Sequence, residues 1–386
     1  MFRSIFLNLT ILFIQFVTLQ SQSINNVKLL FHEENTAIYE CAASPVGSTV
    51  SFRTSAGDVD MHYIYDFKAQ APVPIFVSDD SFLTVNQIQR NTNNLIWSAV
   101  DAKNCLLKVV EDGKTYFAEV MVKEGIQIVV RYYDATNLNP SQYTTSTFLA
   151  YYKKKEGQVL LSHFSPEGDE SLDGKDIPAS RYDLYFLKPQ SDPPKTMALP
   201  KNPNVRELHA SAMKKYEFIL SGVDDTGMNE LYHIDMRDYS RLTTTPHLSE
   251  SWPAVSPNDE FVVFCHPHGK NENTADLFIM PTSGGTPEVL ATNIYIPVTS
   301  YSSSGIYQWT KDGKGIVFIS YNPDRKNPLA IVDIQSKQIS LFDIDIVFPS
   351  SFAITGDGKH ILIVAAGTSA SNEQTSYKAF VGEYNH

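Results

Sequence analysis

The stretch from Trp252 to Leu290, WPAVSPNDEFVVFCHPHGKNENTADLFIMPTSGGTPEVL, constrains the fold of this chain more than any other. It reads as four short strands with a turn at each step. Trp252–Ser256 is the first. The segment Ser256-Pro257-Asn258-Asp259 then reverses the chain, because proline fixes φ and Asn and Asp tolerate turn geometry. Phe261–His266 is the second strand. A polar loop from Pro267 to Ala275 follows, and Asp276–Pro281 is the third strand. Ser283-Gly284-Gly285 turns the chain again into Glu288–Ala291, the fourth. Four strands in about 40 residues make one antiparallel up-and-down unit.

The same order recurs along the chain. The first unit has Ile38–Ala43, a turn at 44–48, Thr49–Thr54, Met61–Phe67 and Ile75–Ser78. The second offers Leu83–Ile88, Asn94–Val100, Leu106–Glu111 and Thr115–Val122. The third follows a strand at Gln127–Tyr133. It has Ser146–Tyr152, Gln158–Phe164, a long loop Ser165–Arg181, Tyr182–Leu187 and a Pro-rich closing segment, Pro189–Pro203. The fourth runs Val205–Ala212, Glu217–Gly222, Glu230–Asp235 and Arg241–Thr244. The sixth has Gly305–Thr310, Gly315–Ser320, Ala330–Ile334 and Ile339–Asp343. The seventh has Ser351–Thr355, His360–Ala365 and Tyr377–Tyr384.

Second strands such as Phe261–Cys265 and Ile316–Ile319 are apolar on both faces, as expected of sheets packed between two others. No amphipathic helix is evident. The pattern predicts an all-β β-propeller of four-stranded blades, seven preferred, with six plus one irregular insertion as the alternative. The seventh unit supplies three strands. The N-terminal strand Asn26–Phe31 is then the natural fourth, closing the ring and covering an edge that would otherwise stay unpaired.

The chain has 386 residues, 42% of them hydrophobic, which suits one large core. Its 22 Phe, 20 Tyr and 3 Trp favour pleated, half-buried surfaces. A net charge of −12 argues against nucleic-acid binding, which needs basic patches, and permits a cation or basic partner. Residues 1–23 read as a signal peptide. Arg3 supplies the positive start, Ile5–Val17 the apolar core, and Ser21 and Ser23 the small residues before a cleavage at Ile24. Residues 24–386 then form one domain, in a secreted, periplasmic or otherwise extracytoplasmic compartment, as a monomer with no membrane span after processing.

Cys41, Cys105 and Cys265 are the only cysteines. Cys41 and Cys105 could pair across neighbouring blades; burial of all three as small hydrophobes in strands is the other reading. The single Asn-x-Ser/Thr acceptor is Asn8, inside the signal.

WPAVSPNDEFVVF, IYQWTKDGKGIVFIS and FAITGDGKHILIV resemble the P-x-W-S-P-D-G-K-x-I-x-F repeat of the TolB-like (WD40-like) β-propellers. ADLFIMPTSGGTPEVLA and ELYHIDMRDYSRLT are similar to that repeat's second half. The resemblance covers about 205–366. It departs from the pattern at Asn258-Asp259, where Asp-Gly is usual, and at Thr310-Lys311, where Ser-Pro is usual. The family includes periplasmic binding scaffolds, propellers attached to peptidase domains, and metal-assisted oligogalacturonate lyases. A peptidase would need an added α/β-hydrolase domain with a G-x-S-x-G elbow, which this sequence lacks.

In such a blade, the loop after strand two and the loop between blades share one face of the disc; the short turns occupy the other. His247, His266 and His268 fall on the loop face, where three imidazoles could converge on a divalent metal. Ordinary loop histidines are the alternative. Asp58, Asp60, Asp169, Asp173, Asp224 and Asp225 gather on the same face, as ligand groups or as a solvated acidic surface. Trp252, Trp309, Tyr307 and Phe352 stand on inner strands, where they could stack on a sugar or peptide, or pack between blades. The leading expectation is a non-catalytic scaffold, without cofactor, that binds protein, peptide or oligosaccharide on the loop face. The alternative is a metal-assisted carbohydrate lyase or hydrolase.

Overall fold

The computed structural model describes residues 23–32, 36–56, 59–68, 70–74, 95–98, 104–111, 114–122, 128–134, 147–152, 158–166, 170–172, 175–177, 180–188, 195–198, 208–213, 217–223, 228–235, 238–269, 273–296, 306–322, 327–346, 349–367 and 376–385. Every regular element among them is a strand. After β1 (Ser23–Phe31), the strands β2 (Ala37–Ala43), β3 (Thr49–Ala56), β4 (Val59–Asp66) and β5 (Ala71–Pro74) pair in chain order as one antiparallel sheet. β6 (Leu95–Trp97), β7 (Asn104–Glu111), β8 (Lys114–Val122) and β9 (Ile128–Asp134) form the next. β10 (Thr147–Tyr152), β11 (Gln158–Pro166), β14 (Ser180–Lys188) and β15 (Lys195–Ala198) form the third, with a two-stranded hairpin, β12 (Glu170–Leu172) and β13 (Lys175–Ile177), between β11 and β14.

Three further sheets follow the same order. They are β16 (Leu208–Ala212) to β19 (Tyr239–Arg241) through β17 (Phe218–Val223) and β18 (Asn229–Ile234); β20 (Ser251–Val255), β21 (Phe261–Pro267), β22 (Thr274–Pro281) and β23 (Glu288–Tyr295); and β24 (Tyr307–Trp309), β25 (Gly315–Ile319), β26 (Leu329–Asp333) and β27 (Ile339–Leu341). The last sheet joins both ends of the described chain. β28 (Pro349–Ile354), β29 (His360–Gly367) and β30 (Ser376–Asn385) are completed by β1, which pairs antiparallel with β30. No helix among the described residues is long and apolar enough to cross a membrane.

The core lies between sheets. One cluster joins Val263, Cys265 and Leu277 of one sheet to Tyr307, Trp309 and Phe318 of the next. A second joins Val317, Ile319 and Ile331 to Phe352, Ile361 and Ile363. A third joins Leu362, Val364 and Val381 to Ile38, Val50 and Phe52. This two-sided burial explains the apolar second strands: all five residues of β25 are buried. First strands stand beside one another, β6 by β10, β10 by β16, β16 by β20, and β2 by β28.

The recurring turn has one local cause. Ser256, Thr310 and Thr355 each accept a hydrogen bond at the side-chain oxygen from the amide five residues on, at 2.9, 2.9 and 3.1 Å. Each hydroxyl in turn donates to Asn258, Asp312 or Asp357, at 2.7, 2.7 and 2.6 Å. The fourth turn residue is left-handed: Gly313 at φ +71, Gly358 at φ +67, and Asp259 at φ +61 where the repeat usually has glycine. The turns also pack together. A Cβ on Gly358 would lie 3.0 Å from Lys311 Cβ, and one on Gly313 3.6 Å from Pro257 Cδ.

Several expectations are corrected. The strand Gln127–Tyr133, which precedes the third unit and is given no unit of its own, is the outer strand of the second sheet, because β9 pairs with β8. The loop Ser165–Arg181 carries the β12–β13 hairpin, and the Pro-rich segment contributes β15. Ala71–Pro74 takes the fourth place in the first sheet; Ile75–Ser78 and Leu83–Ile88 lie outside the described residues. Cys41 and Cys105 form no disulfide. All three cysteines are buried thiols, because each lies within a core strand and fills the space of a small hydrophobe.

Candidate polar site between the β16–β19 and β20–β23 sheets

Antiparallel order puts the 256–260 turn at one end of β21 and the end of β21 beside the 242–250 connection at the other. Ser249 N–H donates to His266 Nδ1 across that second end, at 2.9 Å. The connection is held by backbone pairs, Leu242 N–H to Leu231 O at 2.8 Å and Glu250 N–H to Asn229 O at 3.0 Å. Thr243 Oγ1 accepts from Leu231 N–H at 2.8 Å, and Ser221 Oγ donates to the Glu250 carbonyl.

These contacts draw a polar cluster into the gap between sheets. Glu230 and Glu250 are both buried, at 4% and 0% exposure. Arg241 Nη2 lies 2.6 Å from Glu230 Oε1, and Arg241 Nε donates to Thr243 O at 2.8 Å. Thr245 Oγ1 donates to Glu250 Oε1. Asn229 Nδ2 donates to Ser251 Oγ at 2.8 Å. The remaining oxygens, Oε2 of Glu230, Oε2 of Glu250 and Oδ1 of Asn229, are buried with no hydrogen-bond donor. Burial is the main reason the Glu250 carboxyl is pushed up to about 7; the Thr245 hydrogen bond opposes it, the neighbouring Glu230 charge adds to it, and Arg241 opposes it.

The candidate metal histidines are placed separately. His247 is exposed in a turn at φ +81. His266 uses Nδ1 to accept from Ser249, which leaves Nε2 for any ligand. His268 has both ring nitrogens engaged, Nδ1 with Thr274 Oγ1 at 3.1 Å and Nε2 with Asp276 Oδ1 at 3.0 Å. Asp276 Oδ1 also accepts from Asn293 N–H at 3.1 Å. Among the described residues, no group of three or more His, Cys, Asp and Glu side chains is placed to hold a metal ion.

Asp58, Asp169, Asp173, Asp224 and Asp225 lie outside the described residues, and Asp60 lies in β4. Trp309 is buried in the core and its Nε1 donates to Ala254 O at 2.9 Å. Tyr307 and Phe352 are buried too; the Tyr307 hydroxyl donates to Trp252 O. Packing between sheets accounts for these three aromatic rings. Trp252 is half-buried on a bulge of β20, at φ +53. Cys265 lies beside Tyr307, and burial pushes its thiol up to about 12.

The Glu230–Glu250 pair was not singled out from sequence. The only hint is an acidic residue at the start of one core strand and another just before the next, 20 positions apart. Their meeting depends on how β18 and the 242–250 connection pair.

No family model matches the chain, and no curated protein matches it. Solved structures do. Puromycin hydrolase matches with a TM-score of 0.61 at 12% identity, over 88% of this chain and 51% of that one; this chain thus spans about half of that enzyme. An oligogalacturonate lyase in complex with manganese matches with a TM-score of 0.57 at 12% identity, over 93% of both chains. The β-propeller domain of the Trilobed protease from Pyrococcus furiosus matches with a TM-score of 0.53 at 14% identity, over 79% and 83%. At such identities the likeness establishes the fold alone: the chain has the all-β, four-stranded-sheet architecture of β-propeller proteins.

Proposed function

We propose that this chain is a secreted, seven-bladed propeller, closed by β1, that binds a protein, peptide or oligosaccharide on its loop face without catalysing a reaction. The closure rests on the antiparallel pairing of β1 with β30. One observation carries the assignment of the face: the two ends of the sheets are built differently. At the turn end the repeated Ser/Thr-x-Asn/Asp turns hydrogen-bond internally and pack against one another, as between Lys311 and Gly358. At the loop end the connections differ in length and sequence, and they present partly exposed polar groups such as His268 and Asp276.

The rival reading makes the same face a metal-assisted lyase centre with His247, His266 and His268 as ligands. The manganese-bound lyase shares the fold, so the rival needs its own test. Purified protein covering 24–386 is titrated calorimetrically with manganese and assayed on oligogalacturonates. It is also screened on an oligosaccharide array and used to capture partners from its native compartment. Binding on the array or specific capture, abolished by loop-face substitutions at His268 and Asp276 and unaffected by Lys359→Ala on the turn face, supports the proposal. Stoichiometric manganese binding lost in His266→Ala/His268→Ala, with turnover of the oligogalacturonate, overturns it.

A further inference from the structure

We propose that His266 and Asp276 form a hydroxyl-recognition site on the loop face of the β20–β23 sheet, and that its ligand is an uncharged saccharide. The inference rests on the loop-face reading given above and names the ligand class within it.

His266 and Asp276 are direct partners across β21 and β22. Opposed residues of an antiparallel pair project to the same side of the sheet, with Cβ atoms about 5 Å apart. Each of the two side chains is fixed through one atom. His266 Nδ1 accepts from Ser249 N–H at 2.9 Å, which puts the ring proton on Nε2 and makes that atom a donor. Asp276 Oδ1 accepts from Asn293 N–H at 3.1 Å and lies 3.0 Å from His268 Nε2. His268 is held in turn at Nδ1 by Thr274 Oγ1, at 3.1 Å. Two atoms are left over, a donor at His266 Nε2 and an acceptor at Asp276 Oδ2. Neither is buried, and among the described residues neither has a hydrogen-bond partner. No hydrogen bond or ion pair joins the two side chains to each other.

A fixed donor beside a fixed acceptor, unbonded to one another, specifies a chemistry. A ligand hydroxyl accepts from Nε2–H and donates to Oδ2 at once; a peptide carbonyl or a peptide N–H meets only one of the two. Saccharides present hydroxyls side by side around the ring. Tyr321 adds an apolar surface at the same rim. It is 41% exposed, and its N–H donates at 2.9 Å to the carbonyl of Asn293, the residue whose amide holds Asp276. An aromatic ring of this kind suits the C–H face of a sugar. Charge narrows the class further. The Asp276 carboxylate and the net charge of −12 oppose an acidic sugar.

The purified protein is screened against immobilised neutral oligosaccharides, oligogalacturonates and peptides, and each hit is titrated calorimetrically. Asp276→Asn keeps an oxygen for His268 and Asn293 and puts an N–H donor where Oδ2 stood. His266→Asn keeps an acceptor for Ser249 and withdraws the outward donor. The expected result is binding of a neutral oligosaccharide, weakened about tenfold or more by either substitution, with the circular dichroism spectrum unchanged and with Lys359→Ala on the turn face binding normally. Preference for oligogalacturonate, or neutral-sugar binding that both substitutions leave intact, overturns the inference. Binding of peptide without saccharide, lost in the same two variants, overturns the inference and leaves the loop-face reading standing. Binding that responds to Lys359→Ala and to neither loop-face substitution overturns both.

Discussion

The Asp357 amide donates a hydrogen bond to the Gly47 carbonyl at 2.9 Å, so the turn of the last sheet is tied to the turn of the β2–β5 sheet. Beside it, Gly356 sits so close to the Pro45 carbonyl and Val46 amide that a Cβ would overlap backbone. Backbone cannot swing aside as a flexible side chain does. Gly356→Ala should therefore separate the two turns and cost upwards of about 3 kcal/mol. Urea unfolding measures it, and a midpoint equal to the unmodified protein's would show that the turns can part freely.

The same turn family makes a gentler prediction. Asp259 holds φ +61 where the equivalent Gly313 and Gly358 hold +71 and +67. A non-glycine residue pays roughly 1 kcal/mol for that conformation, less for Asp. Thr282 Oγ1 donates to the Asp259 carbonyl at 2.7 Å and to the Glu260 carbonyl at 3.4 Å, backbone contacts that glycine keeps. Asp259→Gly should relieve that backbone cost by several tenths of a kcal/mol while giving up whatever the Asp259 carboxylate contributes; Asp259→Asn, which keeps the tolerance for this conformation and removes the charge, separates the two in urea unfolding.

These turns were legible in the sequence because their physics is local: a hydroxyl, a carboxylate or amide, and a left-handed residue within six positions. The two-sided apolar runs of β21 and β25 were legible for the same reason. What escaped depends on pairing partners. β9 has the strand character expected of Gln127–Tyr133, but only its bonds to β8 assign it to the second sheet. Glu230 and Glu250 look like ordinary acidic residues until β18 and the 242–250 connection bring them together. Trp309 reads from sequence as a core ring or a stacking platform, and its burial with the Nε1 bond to Ala254 O places it in the core.

The cysteines allow a direct chemical check. Each is a buried thiol, and Cys265 is held up to about 12 by burial, so thiolate is scarce at ordinary pH. An aromatic disulfide reagent at pH 8 should label none in the native protein within minutes. In denaturant without reductant it should label three. A count of one would mean that Cys41 and Cys105 are joined after all.

Arg241 offsets the buried Glu230 charge. Arg241→Met should leave that charge uncompensated and cost about 2–3 kcal/mol, less than the 3–5 of a fully buried pair because the Arg241 side chain is partly in water. Glu230→Gln keeps the shape without the charge and should cost less. The double variant should be more stable than the sum of the two losses implies, since neither charge then remains alone. Urea denaturation of all four proteins closes the cycle, and simple additivity would show that the pair is not coupled.

The pH dependence of stability has a definite sign. Glu250 ionises near 4.5 when exposed and near 7 when folded. Below 4.5 both states carry the proton and the group contributes no slope. Between 4.5 and 7 the folded protein holds a proton that the unfolded chain has released, so stability falls as pH rises. Above 7 the loss is complete, at roughly 3 kcal/mol. Glu250→Gln, which resembles the protonated acid, should match the unmodified protein near pH 4.5, lack this decline, and exceed it in stability at pH 8. Unfolding curves of the two proteins at matched ionic strength across pH 4.5–8 provide the measurement. Parallel profiles would place the Glu250 carboxylate in contact with water.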